Sequence, residues 1–363
     1  MYIYFIVLVI LCMLILTLSL KKYGKTNENV FLVISFVILS LIAALRHYSV
    51  GADTEQFVQA FDYIKNIEIS DFSKLRYETG FSLLCWILAR LKFSGQSLII
   101  VSSLFINYSV MNFIKKNSKN VYMSTLLYIL CTFYFSYMNI MRQAIAIGII
   151  LLGFENLKNK KNLRFSLYVI AASFFHFSAL LCLLFIPMNK MKYNKKIIYS
   201  SIVFMIISFI FGNQIFQFLC RFSAKLAGYI GGQYDVENYF GALIKATIAL
   251  LSYFFGIYLI GKPRDNEKLK NDQLLNFSFF ALGISCIFSI LVMKVNIFNR
   301  FYPYFYIFLI IWLPNCISTI KNSKSRLMLN LIILLLYGLY CFTVLFFRPE
   351  WMGVSNYNFF WNM

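Results

Sequence analysis

Stretches of about 20 apolar residues recur along the chain, and short polar loops separate them. A helix of that length, rising about 1.5 Å per residue, crosses a hydrocarbon core of roughly 30 Å. The pattern predicts spans near residues 2–20, 29–45, 96–114, 121–137, 138–155, 197–219, 241–260, 274–293, 301–320 and 327–347. Two further apolar segments, 79–93 and 165–187, are harder to place; the first is short for a crossing. The expectation is an all-α, polytopic integral membrane protein with about 10–12 hydrophobic helical segments and no soluble domain. The first span has no basic stretch before it and no small-residue cleavage site before Lys21, so a cleaved signal peptide is not expected.

Composition agrees, with 60% hydrophobic and only 13% charged residues. The net charge of +20 suggests nucleic acid until its placement is considered. Lysines cluster in short loops: Lys21, Lys22 and Lys25; Lys115, Lys116 and Lys119; Lys158, Lys160 and Lys161; Lys192, Lys195 and Lys196; Lys321 and Lys324. Such clusters mark cytoplasmic loops, so no nucleic-acid partner is expected. The eight cysteines are scattered, mostly inside apolar segments, without a Cys-x-x-Cys pair. Neither a disulfide framework nor a metal site follows from them.

With the lysine clusters inside, residues 46–78, 220–240, 294–300 and the tail 348–363 fall outside, and loops 262–273 and 321–326 fall inside. Segment 165–187 is flanked by basic clusters on both sides, which a single crossing cannot satisfy. Two half-helices with His176 near the turn satisfy both, and non-helical backbone at membrane depth requires burial in protein or a water-filled cavity. The alternative is one long tilted helix with His176 bonded inside the bundle.

All fourteen Asp and Glu lie in loops or at span ends. Ion-coupled transporters usually carry carboxylates at the midplane, and no internal repeat is visible, which lowers a transporter reading. The external face uses arginine where the inner loops use lysine: Arg46, Arg76, Arg142, Arg221, Arg300 and Arg348. A guanidinium fork pairs bidentately with phosphate, so Arg46, Arg142 with Gln143, Arg221 and Arg300 are candidates for holding a lipid phosphate or pyrophosphate. A snorkelling anchor is the simpler role for each alone. For proton transfer the candidates are Asp53, Glu78 and His176. Asp53 also reads as the N-cap of an amphipathic helix, and Glu78 as the partner of Arg76 or Arg142 in an ion pair. His176 reads as a base or, protonated, as a phosphate contact.

The order "RHYSVGADT" after the second span, then "ETGF", "MRQAIAI" and "AASFFHFSAL", resembles the EpsG-like, Wzy-type bacterial polysaccharide polymerases. "NRFYPYF" and the terminal "NYNFFW" resemble that family's closing elements; Ala52 departs from it, where a polar residue is commoner. The resemblance covers nearly the whole chain and implies a single transmembrane polymerase domain over 1–363. It implies a multi-pass glycosyltransferase of the bacterial plasma (inner) membrane, with its site facing the outside or periplasm, making O-antigen, capsule or exopolysaccharide. Donor and acceptor would both be undecaprenyl-pyrophosphate-linked oligosaccharides, with membrane lipids, a chain-length regulator and a flippase as further partners. The alternative is a transporter or flippase of the lipid-linked oligosaccharide. No cofactor is implied, and with no metal cluster in the sequence the chemistry is expected to be metal-independent.

The charge placement gives a direct test. Asn159→Cys and Asn194→Cys, in a background lacking native cysteines, should both be protected from an impermeant thiol reagent added to intact cells. Labelling of either one would rule out the re-entrant form of 165–187.

Overall fold

The computed structural model describes residues 2–19, 24–221, 239–261 and 272–362. Lys21 and Lys22, and most of the loops 220–240 and 262–273, therefore lie outside the described residues. The described residues are helical without strands, apart from one isolated antiparallel bridge, Arg46 with Phe359. Among the described residues six helices are long and apolar enough to cross a membrane, and a bent pair makes a seventh if it counts as one span. The all-α polytopic reading stands. The helices form two compact units, residues 1–180 with 324–363, and residues 181–323.

In the first unit, α1 (Tyr2–Ser19) packs on α2 (Lys25–Ala44), which packs on α5 (Gly95–Asn117). Between them lie the amphipathic α3 (Thr54–Ile64), a 3-10 turn (Ile69–Lys74) and α4 (Thr79–Arg90). At 12 residues, α4 is about 18 Å long and cannot cross the hydrocarbon core. Segment 121–158 is broken twice, into α6 (Val121–Leu130), α7 (Phe133–Asn139) and α8 (Met141–Lys158). The first break bends the pair by 50° and holds Thr132 at φ +63°, an uncommon conformation for a β-branched residue. Next, α9 (Asn162–Ser173) packs along α8, and the helix stops at Phe174–His176 before a 3-10 stretch (Phe177–Leu184). The α-helix is thus interrupted at Phe174–His176.

The last four carbonyls of a helix have no partner within it, and in a membrane protein water is not at hand for all of them. At the end of α2 each finds a separate donor. Ile42 O accepts from Tyr357 Oη at 2.9 Å, Ala43 O from Arg46 Nη1, Ala44 O from Gln96 Nε2 at 2.8 Å, and Leu45 O from the Phe360 N–H at 2.9 Å. Two of those donors belong to the terminal segment after α16 (Ser323–Phe347), so the tail is part of the first unit's framework. Gly51 N–H donates to Gly353 O at 2.8 Å, and Asn139 Nδ2 to Met352 O at 2.7 Å. Both glycines have positive φ, +106° and +62°. A Cβ on Gly353 would stand 2.7 Å from Ala52 N, so only glycine lets the two turns meet.

The second unit is built on α13 (Gln273–Val292), the most buried of the six span-length helices. Its N-cap is Asp272, whose carboxylate accepts from Leu274 and Leu275 N–H at 3.0 and 3.1 Å. Packed on it are α11 (Lys195–Cys220), α12 (Tyr239–Ile260), and two short helices, α14 (Tyr302–Tyr306) and α15 (Leu309–Ile317). The short α10 (Phe185–Met188) brings Phe185 among Phe277, Phe305 and Phe308 at 5.1–5.6 Å between ring centres. Segment 301–320, read from the sequence as one span, is two helices meeting at Ile307–Phe308. Gly256 admits the Trp312 indole, whose N–H donates to Ser252 O at 3.2 Å. By contrast, α11 and α16 leave rows of large apolar side chains exposed, such as Phe204 and Ile210, and Leu335 and Leu339. That surface suits hydrocarbon, not water.

Gly353→Ala should cost about 1–2 kcal/mol for the left-handed backbone, before any clash with Ala52. The expected result is a lower unfolding midpoint in detergent and faster proteolysis of residues 349–362. An unchanged midpoint would show that the tail is not held as described.

Candidate functional site

Four of the residues picked out by chemistry come from four distant segments and meet in the first unit. Arg142, at the first turn of α8, pairs with Glu78, the residue before α4. Its guanidinium also lies over three rings, Tyr77 at 5.0 Å, Phe57 at 5.7 Å and Phe81 at 5.8 Å from their centres. Phe57 comes from α3, Phe81 from α4 and Tyr77 from the loop just before α4, so these short elements build a cradle for a cation carried by α8. Arg142 Nε is buried and makes no hydrogen bond. The ion pair with Glu78 is the plainer of the two readings the sequence left open.

Glu78 faces two ways. One carboxylate oxygen takes Arg142, and the other accepts from the Phe177 N–H at 3.4 Å. It occupies the N-cap position of α4 without capping its own helix through its side chain. The same junction is fixed by Gly80, whose N–H donates to Phe174 O at 2.8 Å. A Cβ on Gly80 would lie 2.7 Å from that oxygen, which accounts for glycine in "ETGF". The start of α4 thus docks on the helix break beside His176. His176 is half-buried, and its Nδ1 is hydrogen-bonded to Ser178 Oγ, which orients the ring.

Asp53 precedes α3 and occupies the N-cap position, but its side chain makes no cap bond. Burial holds its carboxyl above the usual 3.8, and the nearby Arg142 charge opposes that shift. Gln143 is buried one residue beyond Arg142.

Arg46 is different from the exposed anion contact that its position at a span end suggests. It is 1% exposed and held by internal acceptors. Nη1 donates to Ala43 O and, at 3.0 Å, to Ser103 Oγ; Nη2 donates to Met138 O at 3.2 Å. Thr54 Oγ1 shares that Met138 carbonyl at 3.3 Å. Burial pushes the Arg46 guanidinium down to about 10, so it is still a cation at neutral pH.

Arg221 and Arg300 belong to the second unit. Arg221 is exposed at the end of α11, and Arg300 is half-buried in the 3-10 turn Asn296–Arg300. Beside that turn lies a residue the sequence reading passed over, Lys245 of α12, whose ammonium donates to Asn299 Oδ1 at 3.4 Å. A lone lysine inside an apolar span was the available signal. Among the described residues no group of three or more His, Cys, Asp or Glu stands close enough to hold a metal ion.

The model of the EpsG family matches residues 29–359. No curated relative and no solved structure matches the chain.

Asp53 yields a stability test. A carboxylate whose folded pKa is raised costs stability as pH rises from its unfolded value through its folded one, and that cost is fully present at pH 7. Asp53→Asn removes the charge without losing a cap bond, so the unfolding midpoint at pH 7 should rise and the gain should vanish near pH 3. A lower midpoint at pH 7 would mean that the carboxylate is stabilising where it sits.

Proposed function

The chain belongs to the EpsG family, and on that footing we propose that it is a polysaccharide polymerase acting on lipid-linked repeat units at the outer face of the plasma membrane. The observation that carries the reading is the meeting of Asp53, Glu78, Arg142 and the His176 break in one unit. An enzyme that uses an undecaprenyl-pyrophosphate-linked glycan as donor needs a cation where the diphosphate leaves and a base where the acceptor enters. Arg142 is the cation, held in place by Glu78 and by the aromatic cradle before substrate arrives. Such preorganisation is what makes an electrostatic contact effective in a transition state.

In the proposed step the hydroxyl oxygen of the acceptor sugar attacks the anomeric carbon of the donor glycan. The bond from that carbon to the pyrophosphate oxygen breaks, and the leaving diphosphate takes the electron pair. Asp53, whose carboxyl burial raises against the opposing charge of Arg142, accepts the hydroxyl proton. His176 lies across the Glu78 junction as a second proton-exchanging or phosphate-contacting ring. Arg300 and Arg221 lie in the second unit, and the proposed step is assigned to residues of the first alone. Arg46 has no part in it, because its N–H groups are turned inward.

Polymer is the readout, measured as long-chain polysaccharide per unit of membrane-inserted protein. Arg142→Lys should lose most of it, because a point charge cannot reproduce the planar fork. His176→Phe should insert normally, since Phe174, Phe175 and Phe177 surround that position, yet make no polymer. Near-normal polymer from both variants would remove these residues from the site. Loss of long chains with retention of single surface repeats fits a polymerase, whereas loss of both upon deletion of the protein would favour a flippase.

A further inference from the structure

We propose that the Glu78 carboxylate is a displaceable stand-in for substrate: the Arg142 guanidinium and the Phe177 N–H form a subsite for one phosphoryl group, and a pyrophosphate binds there by expelling Glu78. The polymerase reading enters only in naming the natural ligand as a lipid-linked pyrophosphate. The exchange itself stands on the geometry of the first unit.

The present occupant shows what the subsite takes. One carboxylate bridges two donors from distant segments, Arg142 Nη1 of α8 and, at 3.4 Å, the Phe177 N–H at the helix break. The donors are thus already joined by an anionic pair of oxygens, and a phosphoryl group presents the same kind of pair with more charge. Hydrogen-bonding capacity is also left over for a larger anion. A guanidinium carries several N–H donors in a fixed fork. Among the described residues Arg142 hydrogen-bonds to Glu78 alone, and its Nε is buried with no partner. Its other neighbours are the faces of Phe57, Tyr77 and Phe81, which hold the cation without using those donors. A phosphoryl group brings the further oxygen that they lack.

Expelling Glu78 does not undo the fold around it. Its side chain makes no cap bond to α4, and the docking of α4 on the break is held separately by the Gly80 N–H on Phe174 O at 2.8 Å. A rotation of the Glu78 side chain suffices, and with 20% of it already exposed the released carboxylate reaches water. Only molecules with Glu78 released bind the ligand, so the resident carboxylate raises the apparent Kd.

The test titrates inorganic pyrophosphate into the full-length protein in detergent at constant ionic strength, with binding read by calorimetry. Glu78→Gln removes the competing charge, so the Kd should fall about fivefold, the size expected for releasing a partly exposed ion pair. Arg142→Lys should weaken binding several-fold, since the fork is lost. An unchanged or higher Kd in Glu78→Gln would make Glu78 a structural partner of Arg142 and overturn the exchange. A Kd indifferent to Arg142→Lys would put the ligand elsewhere and overturn it too. Should Glu78→Gln fail to fold, Glu78→Asp decides: one methylene shorter, it loses one of its two contacts, and the Kd should still fall about twofold. No fall there overturns the exchange. Polymer is a separate readout. Tighter pyrophosphate in Glu78→Gln beside normal polymer from Arg142→Lys would discard the polymerase reading and leave the subsite standing.

Discussion

The end of α2 is the constraint on which the first unit depends. A span that stops at the membrane edge leaves its final carbonyls without helical partners, and here four are satisfied by four unrelated groups. Arg46, Gln96, Tyr357 and the Phe360 backbone come from the following loop, from α5 and from the tail. Satisfying one helix end therefore ties together segments from both ends of the chain. Because the tail is bound there, Gly353 reaches Gly51, and the turn that carries Asp53 is fixed from outside as well as from within.

Two arginines show how environment, not residue type, decides a role. Arg46 and Arg142 both stand where a span or an interrupted helix meets a loop. Arg46 has its fork spent on backbone carbonyls and is sealed from solvent. Arg142 keeps about a quarter of its side chain exposed and is balanced by Glu78, with aromatic faces on several sides. The first holds helix ends together. The second is a charge held at a surface, where an approaching anion competes with the Glu78 carboxylate.

The apolar period made the helices legible, because length and hydrophobicity are local properties. The break at His176 was legible too, from the basic clusters on either side. The inward turn of Arg46 was not, since a basic residue at a span end reads the same whether it snorkels or caps a carbonyl. Nor was the pairing of Gly51 with Gly353, which depends on a tail arriving from the far end of the chain. The interruption at Thr132 left no mark in the hydrophobic pattern, for it lies within continuous apolar sequence, whereas the break at Ile140 falls close to the boundary read between residues 137 and 138. Lys245 is legible in the sequence as a lone base inside an apolar span.

The helix breaks also account for where the chemistry gathers. Each interruption releases N–H and C=O groups that lipid cannot satisfy, so a break is stable only beside something that answers it. The break at Phe174–His176 is answered by Gly80 and Glu78, and the break before α8 by Arg46 and Thr54 on Met138 O. The answering groups are polar, and they draw their own partners after them: Glu78 brings Arg142, and Arg142 brings Phe57 of α3, Phe81 of α4 and Tyr77 just before α4. Asp53, held at a cost to its own ionisation, then lies within the field of that arginine. A polar cluster with one strained carboxylate and one cradled cation thus follows from backbone satisfaction in a dry medium, and catalysis can be built on a scaffold that the fold already requires.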